Sequence, residues 1–225
     1  MTDHSKDLTD TRDMLGVHRA LDRALREAPS QVAAVEDADL ESARRLAAYL
    51  EDVMWLLHVH HVGEDELLYP LLAERAPEAA SLCARMEEQH GDIAASVAAI
   101  DDAIKGFGAS AAARDGAGLS ALLLSMADTL AEHLAEEETD VLPLAAVHLS
   151  PEEWGALPGH AMSRYQGERI WLILGLVLES MEEPVRAATL SHFPPPVLEM
   201  WNGVGSAAYD EEMAFVRNGT SRGVA

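Results

Sequence analysis

Cysteine occurs once in the 225 residues, at Cys83. A lone thiol excludes an intrachain disulfide and a cysteine-based zinc ribbon, and it agrees with a reducing compartment. Any metal must therefore be held by histidine and carboxylate. Basic residues are also scarce: 16 Lys and Arg face 39 Asp and Glu, a formal charge of -23. Attraction to phosphate backbones or anionic lipid is disfavoured at that charge, so no nucleic-acid partner is expected. Long apolar runs are missing too. The longest, Ile170 to Leu178, is about half of what a helix needs to cross a bilayer, so no membrane span is expected. The opening MTDHSKDLTD lacks the basic patch and apolar segment of a secretory signal, which makes the cytoplasm the expected location.

Aromatic residues make up only 5% of a chain that is 48% hydrophobic. The apolar content is mostly Ala and Leu, both strong helix formers, so the composition predicts an all-α fold. Leu40 to His61 and Leu119 to Glu138 place apolar residues three and four apart, the spacing of a helix with one buried stripe. Breaks fall at Glu36 to Asp39, at Ala76-Pro77 and across Gly106 to Gly118. They divide residues 10 to 148 into four helices. Pro29 leaves the end of the first uncertain, and Pro70 and Pro143 should kink or end the second and fourth. After Leu149, SPEEW reads as a capped helix start, followed by shorter helical pieces between prolines. The expected organisation is a four-helix bundle over residues 1–149 and a helical extension over 150–225. The extension packs on the bundle or serves as an interaction surface, with Ile170 to Leu178 and Trp201 as first candidates. A flexible tail is expected in the final RNGTSRGVA.

The chain repeats itself. His60 and Glu64, like His133 and Glu137, form a His-x-x-x-Glu pair, with Pro70 and Pro143 ten residues after each histidine. All three positions are offset by 73 residues, and His18 and His90 are offset by 72. In an up-down bundle, side chains at one level on successive antiparallel helices require turns near the midpoints between them. Those midpoints, about residues 39, 75 and 112, coincide with the three breaks. Residues i and i+4 share a helical face, so Glu64 joins His60 and Glu137 joins His133.

Four imidazoles and two carboxylates buried together would cost several kcal/mol per ionised group, about 2–7 for even a neutral polar group, unless cations compensate. Mixed imidazole and carboxylate ligands suit iron, manganese or zinc, and two carboxylates can bridge a metal pair. Structural zinc prefers closed shells, whereas this set leaves open positions, which favours iron. Glu136, Glu138, Glu66 and Asp65 neighbour the candidate ligands and are expected to be solvated acids. His148, His160 and His192 have no partner spacing.

At HHVGEDELLYP (His60 to Pro70) and HLAEEETDVLP (His133 to Pro143), with His18 and His90, the chain resembles the hemerythrin-like proteins of the HHE cation-binding family. The resemblance covers about residues 10–148. It implies a hemerythrin-like up-down bundle holding two iron ions, oxo- or hydroxo-bridged, with manganese a lesser alternative. His18 and His60 would bind one iron, His90 and His133 the other, and Glu64 and Glu137 would bridge. The family's oxygen carriers have a fifth histidine one turn after the third ligand; Ala94 stands there. A seventh ligand could come from His61, Glu87, Tyr69 or Tyr165, with His61, about 100° around the helix from His60, facing outward or lying behind the ligands. With four histidines, the irons should be equally open, favouring sensing or reaction over storage. The implied small ligands are O2, hydrogen peroxide or nitric oxide. The readings are a sensing or binding module, a peroxidase or catalase-like enzyme, and an iron-storage or structural bundle. A homodimer is one possible assembly.

Overall fold

A computed structural model describes residues 8–218, and no strand occurs among them. Four rods form the bundle. The first is α1 (Arg12–Ala33), and the second is α2 (Leu40–Gly63), which runs through a π turn (Glu64–Leu68) into α3 (Tyr69–Arg75). The third is α4 (Ala80–Ser110), and the fourth is α5 (Ala113–Glu136), which passes through a second π turn (Glu137–Val141) into α6 (Leu142–His148). The extension comprises α7 (Pro151–Trp154), α8 (Ala156–Arg164), α9 (Ile170–Ser180), α10 (Glu183–Ser191), α11 (Pro195–Met200) and α12 (Ser206–Asn218). The result is an all-α bundle of four rods with additional C-terminal helices.

The turns show why the rods stop where they do. Asp39 caps α2 by accepting from the Ser42 amide at 3.1 Å. Between α4 and α5 the break is much tighter than the glycine-rich stretch suggests: Gly106 and Gly108 stay in α4, Gly116 and Gly118 in α5, and Ala111 ends α4 with φ 50°. Ala38, also left-handed at φ 67°, donates its amide to the Ala111 carbonyl at 3.1 Å, so the two tight turns at this end are tied together. Pro29 does not end α1, which continues to Ala33.

Pro70 and Pro143 act differently from the expected kink or stop. Proline lacks the N–H that would bond four residues back, and its ring collides with that carbonyl. The backbone widens instead: Tyr69 N–H reaches the Glu64 carbonyl and Leu142 N–H the Glu137 carbonyl, each five residues back. Each rod thus continues for about two turns of α-helix beyond its π turn, and each π turn opens on the glutamate of its His-x-x-x-Glu pair.

Ser150 and Glu153 form the capping box that SPEEW predicts, each side chain meeting the other's amide. The apolar run on α9 is not an exposed surface. Leu172, Ile173, Leu174, Leu176 and Leu178 are buried, and Trp201 is half-buried against the same apolar cluster as Leu174. Leu172, Ile173 and Leu176 share one apolar cluster with Leu21, Leu25 and Leu50 of the bundle. Arg217, assigned from sequence to the tail, lies on α12 and pairs with Glu179; the rest of that segment, from residue 219, lies outside the described residues.

Candidate metal centre

Each rod delivers histidine to one level of the interior: His18 from α1, His60 and His61 from the last turn of α2, His90 from α4, and His133 from the last turn of α5. Glu64 and Glu137, the opening residues of the two π turns, complete the layer with no exposed surface at all. The six residues picked out by the repeat are therefore brought together. Their ligand atoms fall into two groups: His18, His60, Glu64 and Glu137, and His61, Glu64, His90 and His133. Within each group the atoms lie within 4.8 Å of one another.

The carboxylates sit between the groups. Glu64 places Oε1 3.2 Å from His60 Nδ1 and Oε2 3.5 Å from His90 Nε2. Glu137 Oε2 lies 3.3 Å from His18 Nε2 and 3.8 Å from His133 Nε2. None of the four carboxylate oxygens has a well-formed hydrogen bond, nor do Nε2 of His18, His60 and His61. An array of acceptors and ring nitrogens aimed at each other without donors between them is the arrangement a pair of cations satisfies.

Of the four candidates for a seventh ligand, His61 is the one whose ring nitrogen joins a group, and the alternative that it faces outward does not hold. It faces inward, 6% exposed, its ring stacked on His90 at a centroid distance of 3.9 Å and edge-on to His133 at 5.2 Å. The reason is that α2 is buried on more than one face here: Leu56, Leu57, Val59, His60, His61 and Gly63 are all enclosed. From the outside α8 closes on Gly63, where a Cβ would stand 3.8 Å from Leu157 and 3.9 Å from His160. The signal was present in the sequence, since Val53 to Gly63 carries no Asp, Glu, Lys or Arg, and a helix apolar all round is buried all round. The count of histidines at the centre is five, and Ala94, one turn beyond His90, is exposed.

The other candidates separate clearly. Tyr69 is fully buried, its ring 5.6 Å from His90 and its hydroxyl without a partner; burial and the charges of Glu64 and Glu137 push its pKa up. Tyr165 is elsewhere, packed on Trp55 at 4.8 Å with its hydroxyl accepting from the Arg169 amide. Glu87 is exposed on the outside of α4. Two of the supposedly solvated acids reach inward: Asp65 is 2.7 Å from His90 Nδ1 and Glu138 is 2.9 Å from His18 Nδ1. His133 Nδ1 meets Gln89 Oε1 at 2.7 Å, and Gln89 is held by Glu136. Glu66 does point outward, to His160 and Arg164.

Burial dominates the electrostatics. Desolvation and the facing Glu137 push the Glu64 carboxyl well above its ordinary value. Burial also opposes charge on Glu137, but the facing His18 imidazole, 3.3 Å away, outweighs it and holds that carboxyl at about 2. For His18 burial is in turn outweighed by Glu137 and Glu138, which raise it to about 9. Burial and neighbouring imidazoles depress His60 and His61 well below 6.5, and burial takes His133 down to about 4. Neutral imidazoles with free Nε2 lone pairs are the form that binds metal.

The family model for the hemerythrin HHE cation binding domain matches residues 9–145, which takes in the first three rods, the fourth as far as the middle of α6, and all seven side chains of the centre. The chain belongs to that family. Neither the comparison with curated proteins nor that with solved structures returns a match.

Proposed function

We propose that the protein is a non-haem di-iron protein that binds, senses or reacts with O2, peroxide or nitric oxide. The observation that carries this reading is the pair of fully buried carboxylates, each between histidines of both groups and none of their oxygens satisfied within the protein. Residues 1–149 supply the metal-binding bundle and 150–225 its cover.

His18 and His60 would hold one iron, and His61, His90 and His133 the other, with Glu64 and Glu137 available to both. Ligand supply is thus unequal. The side of His18 and His60 has one imidazole fewer, in place of the equal supply that four histidines would give. A ferrous pair supplies electrons to O2 or peroxide. The chain's part is to hold the ligand atoms and exclude water. Below the layer Leu68, Leu72, Met86 and Val141 form an apolar seal, and Tyr69 presents the only unpartnered hydroxyl among the described residues beside it.

The test is metal analysis of the purified protein with visible spectra before and after peroxide. Two irons per chain and a charge-transfer band altered by peroxide support the reading; zinc with a featureless spectrum overturns it. Repeated gas evolution on adding peroxide identifies an enzyme, and a single stoichiometric change identifies a binding or sensing module.

A further inference from the structure

The acid that follows each central glutamate is directed at a histidine from the opposite half of the repeat. Asp65 follows Glu64 in the first half and bonds His90 of the second; Glu138 follows Glu137 in the second and bonds His18 of the first. Asp65 and Glu138 are equivalent by the 73-residue offset, and His18 and His90 by the 72-residue offset. The other outer contact does not repeat: Gln89 bonds His133, but its counterpart by offset is Val17, which has no polar side chain. The exchanged pair is the part of the outer shell that both halves possess.

We infer that Asp65 and Glu138 are positioning residues that fix two histidines of the centre, one beside each metal, with Nε2 presented inward. This rests on the di-metal reading above. A carboxylate can only accept, so each bonded Nδ1 carries the proton and the lone pair is left on Nε2. That atom of His18 faces Glu137 Oε2 at 3.3 Å, and that of His90 faces Glu64 Oε2 at 3.5 Å. Without the acid, the buried ring has two tautomers and two flip states to choose from. Both acids stand at the rim, their side chains 38% exposed, so neither is needed to fill the core. His18 belongs to the group with His60 and His90 to the group with His61 and His133, so each acid governs a different metal.

The experiment uses the full chain loaded with 57Fe, comparing Asp65→Ala, Asp65→Asn, Glu138→Ala and Glu138→Gln with wild type and with Asp140→Ala, an exposed acid on the same π turn as Glu138. Iron affinity is read by chelator competition, and the two iron environments by Mössbauer spectroscopy. The alanine variants should lose iron affinity on the order of 10–100-fold, Asp65→Ala changing one quadrupole doublet and Glu138→Ala the other. The amide variants keep an acceptor oxygen and should recover most of the affinity, while losing a negative charge beside the metal and so raising its reduction potential. Alanine variants with wild-type affinity and spectra overturn the inference. So do amide variants as weak as alanine, or an equal loss in Asp140→Ala, since either makes bulk charge the cause. A wild-type protein that takes up no iron pair instead overturns the di-metal reading itself.

Discussion

Glu64 concentrates the conflict between folding and function in one side chain: a carboxyl with no exposure, no well-formed hydrogen bond and a second carboxyl facing it. A buried polar group left unsatisfied costs about 1–3 kcal/mol. Glu64→Leu should therefore stabilise the metal-free chain by about that amount while abolishing iron uptake; urea melts of chelator-treated protein and iron content after reloading check both halves. A metal-free variant less stable than wild type would make Glu64 a structural residue. His61 offers a complementary case. Its counterpart in the second half is Leu134, also buried, so the fold already accepts leucine at that place. His61→Leu should fold normally and drop from two irons per chain towards one, and an unchanged iron content would remove His61 from the centre. The other six residues were legible in the sequence because the offsets and the midpoints of the turns agree independently. His61 breaks the repeat, so no offset could find it. Asp65 and Glu138 are partly solvated as expected, but their histidine contacts were missed because a helical wheel takes no account of a histidine arriving from the neighbouring rod.

Among the elements, the rods and their order followed from apolar periodicity and the breaks, whereas the π turns did not. Proline signals the loss of one helical hydrogen bond but not whether the rod stops, kinks or widens, and that is settled by the apolar residues beyond it. Leu72 and Leu142, on the continuing turns, are buried and hold each rod in line. The extension is anchored by a device that only three dimensions reveal. Glu179, at the end of α9, accepts from Arg23 of α1 at 2.9 Å, from Arg217 of α12 and from the Tyr209 hydroxyl at 2.5 Å. Burial raises its pKa, but Arg217 and Tyr209 outweigh that and hold the carboxyl at about 2, below its ordinary 4.5. A depressed carboxyl pKa adds stability that is fully present above the unfolded value and is lost as pH falls through the folded one. Wild type should therefore exceed Glu179→Gln in stability above about pH 4.5, with the gap shrinking from there to about pH 2. Denaturant midpoints of the two proteins across that range test this, and a gap independent of pH would remove Glu179 as the titrating anchor.

At the scale of the molecule, the histidine and glutamate layer divides the bundle's interior into two apolar bodies, and the extension contributes to both. Leu172, Ile173, Leu176, Tyr209, Met213 and Val216 complete the larger body with α1 and α2. Trp154 enters the smaller one with Met14, Tyr69 and Met86, its indole N–H donating to Asp13 at 2.9 Å. Burying a Leu or Ile side chain contributes about 1.5–3 kcal/mol, so the three α9 residues in this body, Leu172, Ile173 and Leu176, alone supply an amount comparable with the whole stability of a typical domain, about 5–15 kcal/mol. Cutting the chain after Leu149 also uncovers the side of α2 that α8 closes at Gly63, between His61 and Glu64. Residues 1–149 by themselves should therefore unfold at a much lower urea concentration than the full chain, expose apolar surface to a hydrophobic dye, and release iron faster to a chelator. A fragment that melts cooperatively at the full-length midpoint and keeps two irons at the full-length release rate would show that the bundle closes its own core, and would leave the extension free for a role away from the metal centre.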